Sequence, residues 1–289
     1  MTRPLLVIFL TIFVNMIGFG IIIPLLPFYA ETFGASPFVI GLLFAVFSVG
    51  QLAAAPVLGD WSDRYGRRPV LIFSLLGTVV SFVMLAVAQS LAMLFIARIV
   101  DGLSGGNIST ARAYVADVTE PKDRARAYGM IGAAFGLGFI FGPALSGVLA
   151  QVSYTAPIWA AAAITLVATA VAWFWLPETV HHARAGTGSP FRHLPEMLRR
   201  PRLGRVLVID FFYWFAFAMF QTTFSLFAAR RFQFDASQTG YLFAVFGVLG
   251  AIVQGGLIRP IVRRLGDKPT FIAGLLCSMA GLIAAALSQ

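Results

Sequence analysis

Charged residues are scarce in this sequence. Lys, Arg, Asp and Glu together make up 11% of the 289 residues, whereas hydrophobic residues make up 59%. A soluble domain of this length does not need so much apolar surface. Uncharged runs of about 20 residues are long enough to cross the core of a bilayer as helices. The composition therefore excludes an ordinary soluble domain and predicts an integral membrane protein.

Residues that build disulfides, metal sites and catalytic centres are also few. Cys277 stands alone, so the sequence holds no disulfide framework. The histidines His181, His182 and His193 lack partner ligands at metal-site spacing. No nucleotide-binding glycine loop is present, and the apolar segments contain no nucleophile–base pair. We therefore expect no metal, no cofactor, no use of ATP and no enzymatic activity.

Nine long apolar segments account for most of the chain. They cover residues 5–28, 38–58, 69–88, 91–113, 128–150, 156–177, 205–228, 236–258 and 270–288. Segment 1 continues to about Phe28 without a small-residue cleavage site, so we interpret it as a membrane helix and not as a signal peptide. The pattern predicts an all-α membrane protein with nine spans.

The basic residues lie in alternate loops. Lys and Arg number 21 against 12 acidic residues, which gives a net charge of +9. They precede segment 1 and separate segments 2 and 3, 4 and 5, 6 and 7, and 8 and 9; the pair Arg230 and Arg231 departs from this order. Basic loops stay on the cytoplasmic side. We expect a multi-pass protein of the cytoplasmic (inner) membrane with a cytoplasmic N-terminus, and no nucleic-acid partner.

An internal duplication divides the chain. Gly41–Phe47 is repeated as Gly240–Phe246, and the charged turn Gly59–Pro69 has a weaker counterpart in Gly266–Pro269. Such a repeat is typical of transporters built from two similar halves. It predicts a six-helix half over 1–178, a cytoplasmic linker over 179–204 that is either an amphipathic helix or a solvated segment, and a partial second half of three helices over 205–289. We expect a fragment, a truncated gene product or a shortened relative.

The charged turn between segments 2 and 3 has a specific spacing. Its pattern residues are Gly59, Asp63, Arg64, Gly66, Arg67 and Arg68. We expect Gly59 to let two helix ends approach and Gly66 to permit a tight reversal. Asp63 and Arg67 are four residues apart and can pair on a helix, and Asp117 ends segment 4 on the same side. The alternative is charge that serves topology alone.

This pattern resembles the cytoplasmic signature of the major facilitator superfamily. Segment 5 adds Gly138-x3-Gly142-Pro143-x2-Ser146-Gly147, which is similar to the motif of that family's proton-coupled exporters, whose usual ending is Gly-Gly. The resemblance implies a helical bundle of the family's type and a gating latch of Asp63, Arg67 and Asp117. The glycines of segment 5 are expected to let another helix pack closely; they are Gly132, Gly136, Gly138 and Gly142.

A few strongly polar side chains occur at membrane depth. Those assigned to proton coupling or to a substrate cavity are Asn15, Gln51, Arg98, Asp101, Asp210 and Gln221. A lone charge there costs about 2.5–3.5 kcal/mol, so such residues normally face a water-filled cavity. Arg98 and Asp101 share a helix face. One hypothesis makes Asp101 the proton-exchanging group with Arg98 tuning it; the other makes them a static pair that orders the bundle.

The resemblance is nearest the tetracycline-exporter branch of the drug:proton antiporters. It implies efflux of a small molecule by alternating access, with protons as the second partner. Segment 7 is crowded with aromatic residues over Phe211–Phe215, which favours hydrophobic or amphipathic drugs. Those exporters use acids on helices 1, 3 and 9, whereas Asn15 stands in segment 1 and segments 3 and 9 hold none. The substrate and the oligomeric state stay open. The alternatives are a metabolite importer of the same superfamily and a truncated, non-transporting membrane protein.

Overall fold

The structure is a computed structural model that describes residues 3–105, 107–179 and 199–287. These residues form helices and short connections, without a β-strand. The helices are α1 (Arg3–Glu31), α2 (Pro37–Tyr65), α3 (Arg67–Ala86), α4 (Leu91–Ser104), α5 (Asn107–Val118), α6 (Arg124–Ala150), α7 (Ala156–Trp175), α8 (Pro201–Phe232), α9 (Ala236–Ile252), α10 (Ile258–Leu265) and α11 (Asp267–Leu287). A π-helical turn, Val253–Leu257, joins α9 to α10.

The described residues contain 9 spans that are long and apolar enough to cross a membrane, as the nine apolar segments predict. The all-α membrane fold is therefore confirmed. The spans are longer than predicted at their charged ends, where α2 continues to Tyr65 and α3 begins at Arg67. The expected loop over Gly59–Pro69 is thus wrong, because only Gly66 lies between the two helices. Ion pairs at four-residue spacing, such as Asp60 with Arg64, support the added helical turn.

The fourth span is not the continuous helix that the sequence predicts. Helix α4 ends at Ser104 and α5 begins at Asn107, and the Gly105 amide turns back to Gly102 O at 3.1 Å. Glycine weakens a helix interior by about 1 kcal/mol relative to alanine, which explains why the span divides here. Buried carbonyls freed by such a break need partners. Ser74 Oγ donates to Ser104 O.

Helix α1 is central among the first six spans. It packs on α6 and α7, while α2 packs on α4 and α3 packs on α4 and α7. A Cβ atom on Gly142 would lie 2.8 Å from Gly20 Cα, and one on Gly138 would meet the backbone of Met16. Gly132 and Gly136 have no such neighbour within 4 Å. The prediction that the glycines of α6 permit close packing is therefore right for Gly138 and Gly142 and wrong for Gly132 and Gly136.

Two compact units make up the chain. The first extends to Ala244 and contains the candidate site; the second, from Val245, contains the π-helical turn, α10 and α11. Most of the linker predicted over 179–204, with its amphipathic stretch and the three histidines, lies outside the described residues. Helix α8 begins at Pro201, which is earlier than the predicted start of segment 7, and proline suits the first turn of a helix.

Candidate functional site

Arg67 joins three polar side chains at the corner between α2 and α3. The corner itself requires Gly66, whose φ of 106° is a region that favours glycine. Arg67 Nη1 lies 2.5 Å from Asp63 Oδ1 and donates to Ser62 Oγ at 2.8 Å. Arg67 Nε lies 3.1 Å from Asp117 Oδ2 at the end of α5. The three residues that the family resemblance connects therefore do meet, and the Arg67 side chain is only 13% exposed.

The remaining residues of the charged turn are arranged differently from the expectation. A Cβ atom on Gly59 would meet nothing within 4 Å, so Gly59 does not mark a close approach of helix ends. Arg64 pairs with Asp60 at 3.0 Å on the exposed side of α2. Such surface pairs contribute little to stability. Arg68 turns away and donates to Trp173 O on α7.

Glu178 completes this corner and was not among the predicted site residues. Its Oε1 accepts the Arg67 amide at 2.9 Å and its Oε2 accepts the Arg68 amide at 3.2 Å. The first amides of a helix lack intrahelical partners, and a carboxylate there also complements the helix dipole. Thr179 Oγ1, the next residue, donates to Asp117 Oδ2 at 3.4 Å. The available signal was an acid directly after Pro177, at the charged end of segment 6.

Arg98 and Asp101 form a buried ion pair within α4. Arg98 Nη1 lies 2.7 Å from Asp101 Oδ2, and the side chains are 1% and 9% exposed. The guanidinium carbon lies 4.0 Å from the centroid of the Phe47 ring, a cation–π distance. Arg98 Nε and Nη2 have no hydrogen-bond partner in the described parts of the chain. The pair is enclosed by packed helices, so the expectation that it faces a cavity is wrong for this conformation.

A cleft of about 750 Å³ lies between α2, the α4–α5 break and α8. Its lining residues are Ser48, Gln51, Leu52, Ala55, Gly105, Ile108, Ser109, Phe211, Trp214 and Phe215. None of them is charged. Phe211 and Phe215 stack on each other with their ring centroids 6.2 Å apart. Most of the wall is therefore aliphatic or aromatic, and its non-aromatic polar side chains are Ser48, Gln51 and Ser109.

Gln51 is the one predicted cavity residue that lines this cleft. Its Nε2 donates to Gly105 O at 2.9 Å, so it holds one of the carbonyls freed by the helix break. The structure does not bring Asn15, Asp210 or Gln221 into the lining. Asp210 is exposed although it directly precedes Phe211 in the chain. The sequence could locate polar residues by depth but not by helix face.

The segment-5 motif lies where α6 contacts α1 and α9. Ser146, at a position where the exporters usually have glycine, donates through Oγ to Ile21 O at 3.1 Å. Its neighbour Gly147 faces α9, where a Cβ atom would lie 2.8 Å from Ser237 O. Pro143 belongs to the same face, with its carbonyl 2.8 Å from a Cβ built on Gly240. The motif therefore permits two close helix contacts.

Comparison with known proteins identifies the family. The Major Facilitator Superfamily profile matches residues 8–289. The class E tetracycline resistance protein of Escherichia coli is 34% identical over 98% of this chain and 72% of its own length. The class G protein of Vibrio anguillarum is also 34% identical, over 98% of this chain and 74% of its own. Multidrug resistance protein 2 of Bacillus subtilis (strain 168) is 30% identical over 96% and 70%.

Solved structures have the same fold. The human organic anion transporter MFSD10 (TETRAN) superposes with a TM-score of 0.71 at 28% identity, over 89% of this chain and 72% of its own. A bacterial homologue of the lysosomal transporter Spinster superposes with a TM-score of 0.79 at 17% identity, over 99% and 68%. With nine apolar spans in the described residues, the protein is a multi-pass integral membrane protein. The chain belongs to the Major Facilitator Superfamily, whose members are transporters and not enzymes.

Proposed function

We propose that this protein exports hydrophobic or amphipathic aromatic compounds in exchange for protons. The observation that carries this proposal is the uncharged cleft walled by Phe211, Trp214 and Phe215. Planar apolar compounds bury surface against aromatic faces, and a few polar groups orient them. Gln51 is already bound to Gly105 O through its Nε2, so its carbonyl oxygen is left to accept a donor from the substrate.

The position of the cleft supports alternating access. Its walls come from α2 and the α4–α5 break in the half assigned to 1–178, and from α8 in the half assigned to 205–289. A site between two halves opens to one side and then to the other when they rock. The N-terminus is on the cytoplasmic side of the inner membrane in this proposal, because the charged turns then face the cytoplasm.

The names of the relatives support export as the direction of transport and drugs as the class of substrate. Several carry tetracycline or multidrug resistance in their names, and they match nearly the whole of this chain. Transport that makes a cell resistant to a drug must carry the drug out of the cell. The importer alternative has no comparable support among the residues of the cleft.

Proton coupling is assigned to the pair of Asp101 and Arg98. A proton that binds the Asp101 carboxylate weakens its 2.7 Å contact with Arg98. Asp101 lies one helical turn before Gly105, whose carbonyl is held by Gln51 of the cleft. A movement that follows the loss of this ion pair can therefore be transmitted along α4 to the cleft. One unit of pH supplies about 1.4 kcal/mol per proton, which supports about a tenfold substrate gradient.

The test is transport by the purified chain in liposomes with an imposed pH gradient. We expect accumulation of a fluorescent hydrophobic dye in inside-out vesicles and collapse of that accumulation when the gradient is dissipated. Gradient-driven accumulation only in the import direction, or no flux of any dye by a stably inserted chain, would overturn the proposal. An Asp101→Asn variant that keeps full gradient-driven transport would overturn the role of Asp101 alone.

Trp214→Ala and Phe212→Ala test the cleft itself. Both residues lie on α8 and are more than half exposed, at 57% and 62%, but only Trp214 lines the cleft. Aromatic contacts contribute about 0.5–1.5 kcal/mol beyond burial, so Trp214→Ala should raise KM about two- to tenfold. Phe212→Ala should leave KM unchanged. Equal effects would place the substrate elsewhere.

A further inference from the structure

Helices α6 and α9 contact each other at the end of the bundle away from the charged turn, here called the outer end. Pro143 and Gly147 lie four residues apart on α6, and Gln151, the helical C-cap of α6, follows after four more, so the three residues share one face. The first turns of α9 contain Ser237 and Gly240. A Cβ atom on Gly240 would lie 2.7 Å from Gly147 Cα, so the two backbones touch. Helices without side chains at the contact approach this closely.

Side-chain hydrogen bonds surround the glycine contact. Ser237 Oγ donates to Gly147 O at 2.6 Å, and Ser237 is buried. Gln151 Nε2 lies within hydrogen-bond distance of two acceptors, Ser237 Oγ at 3.2 Å and Tyr241 OH at 3.0 Å. The Gln151 amide thus covers the glycine contact on its outer side. Its partners belong to α9, in the other predicted half.

We infer that Gln151 is a gating residue that holds α6 against α9 while the outer end is closed. This inference rests on the alternating access proposed above. The outer end can open only if α6 and α9 separate, because they belong to different halves. Separation removes both acceptors of Gln151 and exposes the Gly147–Gly240 contact. The hydrogen bonds of Gln151 therefore bias the protein toward the state closed outside.

A cysteine reporter measures this opening without any substrate. Ala236, the first residue of α9, is 1% exposed at the outer end. We place Ala236→Cys in a Cys277→Ser background and measure the rate at which a maleimide labels it in proteoliposomes. Tyr241→Phe removes one acceptor of Gln151, and Gln151→Ala removes the whole amide. Gln89→Ala, an exposed glutamine at the same end, is the matched control.

We expect Tyr241→Phe to raise the labelling rate about threefold and Gln151→Ala about eightfold, since interhelical hydrogen bonds in membranes average about 0.6 kcal/mol each. Gln89→Ala should not change it. A second reporter, Ala172→Cys, lies in α7 near the charged turn and is 0% exposed. Its labelling should stay constant in every variant, whereas general loosening would raise it too.

The inference is overturned if the outer reporter labels equally fast in the Gln151→Ala and Gln89→Ala variants. It is also overturned if both reporters accelerate together, because Gln151 would then only stabilise the fold. These outcomes are separate from the transport test. A chain that moves no dye but shows the reporter difference refutes the proposed function, whereas dye flux without that difference refutes only the gating role of Gln151.

Discussion

Glu178 accepts the backbone amide of Arg67 at 2.9 Å, while the Arg67 side chain contacts Asp63 and Asp117. One residue therefore joins the ends of α2, α3 and α5 to the segment that follows α7. The Glu178 carboxylate fixes the first turn of α3, and that turn fixes where the guanidinium points. The cluster of Asp63, Arg67 and Asp117 is thus supported from a fourth side by Glu178, which the charged pattern between segments 2 and 3 does not contain.

Glu178→Ala should lower the free energy of unfolding by about 1–2 kcal/mol, because two amides of α3 lose their acceptor. The measurement is the thermal unfolding midpoint in detergent, followed by tryptophan fluorescence. Glu120→Ala is the control, since Glu120 is 71% exposed and pairs with Lys122 at the surface. Similar midpoints for the two variants would show that the cap contributes nothing beyond surface charge.

Arg67→Lys should reduce transport about tenfold although the positive charge is kept. A lysine ammonium is a single point donor and cannot reach Asp63, Ser62 and Asp117 together, and each lost charge-assisted hydrogen bond is worth about 1.5–3 kcal/mol. Initial rates of dye flux in proteoliposomes measure the effect. Arg64→Lys, in an exposed pair with Asp60, should change the rate less than about twofold. If both substitutions act alike, charge and not the latch geometry is what matters.

The spans could be predicted from the sequence because the bilayer requires long apolar helices, and nine such runs stand out between charged loops. The ends could not. Asp60 and Arg64 suggest a polar loop by composition, yet their four-residue spacing stabilises another helical turn of α2. The break at Gly105 could not be predicted either, because the mean hydropathy of Leu91–Val118 describes one continuous apolar span and conceals it.

From residue spacing alone, the candidate site was predictable only for contacts within one helix; the family resemblance added the contact of Arg67 with Asp117. Arg98 and Asp101 pair within α4, three residues apart, so their contact follows from the sequence. Glu178 and Arg67 are 111 residues apart in the sequence, so no local sequence pattern predicts their contact. Depth in the membrane likewise says nothing about helix face, which is why Gln51 lines the cleft whereas Asp210 does not.

The Arg98–Asp101 pair should show strong non-additivity. Asp101→Asn leaves a buried guanidinium without its counter-ion and should cost about 3–5 kcal/mol of stability. The double variant Arg98→Met with Asp101→Leu removes both charges and should be more stable than either single variant, as measured by unfolding midpoints. If Asp101 carries the proton, the stable double variant loses gradient-driven flux. Retained flux in the double variant would make the pair a static element of the bundle.

Gly142→Ala should lower the stability of the protein, whereas Gly136→Ala should leave it unchanged or raise it, although both substitutions alter α6. A Cβ atom on Gly142 would lie 2.7 Å from Ile17 O and 2.8 Å from Gly20 Cα, so α1 and α6 must move apart. Overpacking of this kind costs about 1–3 kcal/mol. Gly136 faces open space within 4 Å, where alanine gains up to about 1 kcal/mol of helix propensity. Unfolding midpoints in detergent should therefore fall for Gly142→Ala and hold or rise for Gly136→Ala. Equal midpoints would mean that the close approach of α1 and α6 does not limit stability, and the glycines of α6 would need another explanation.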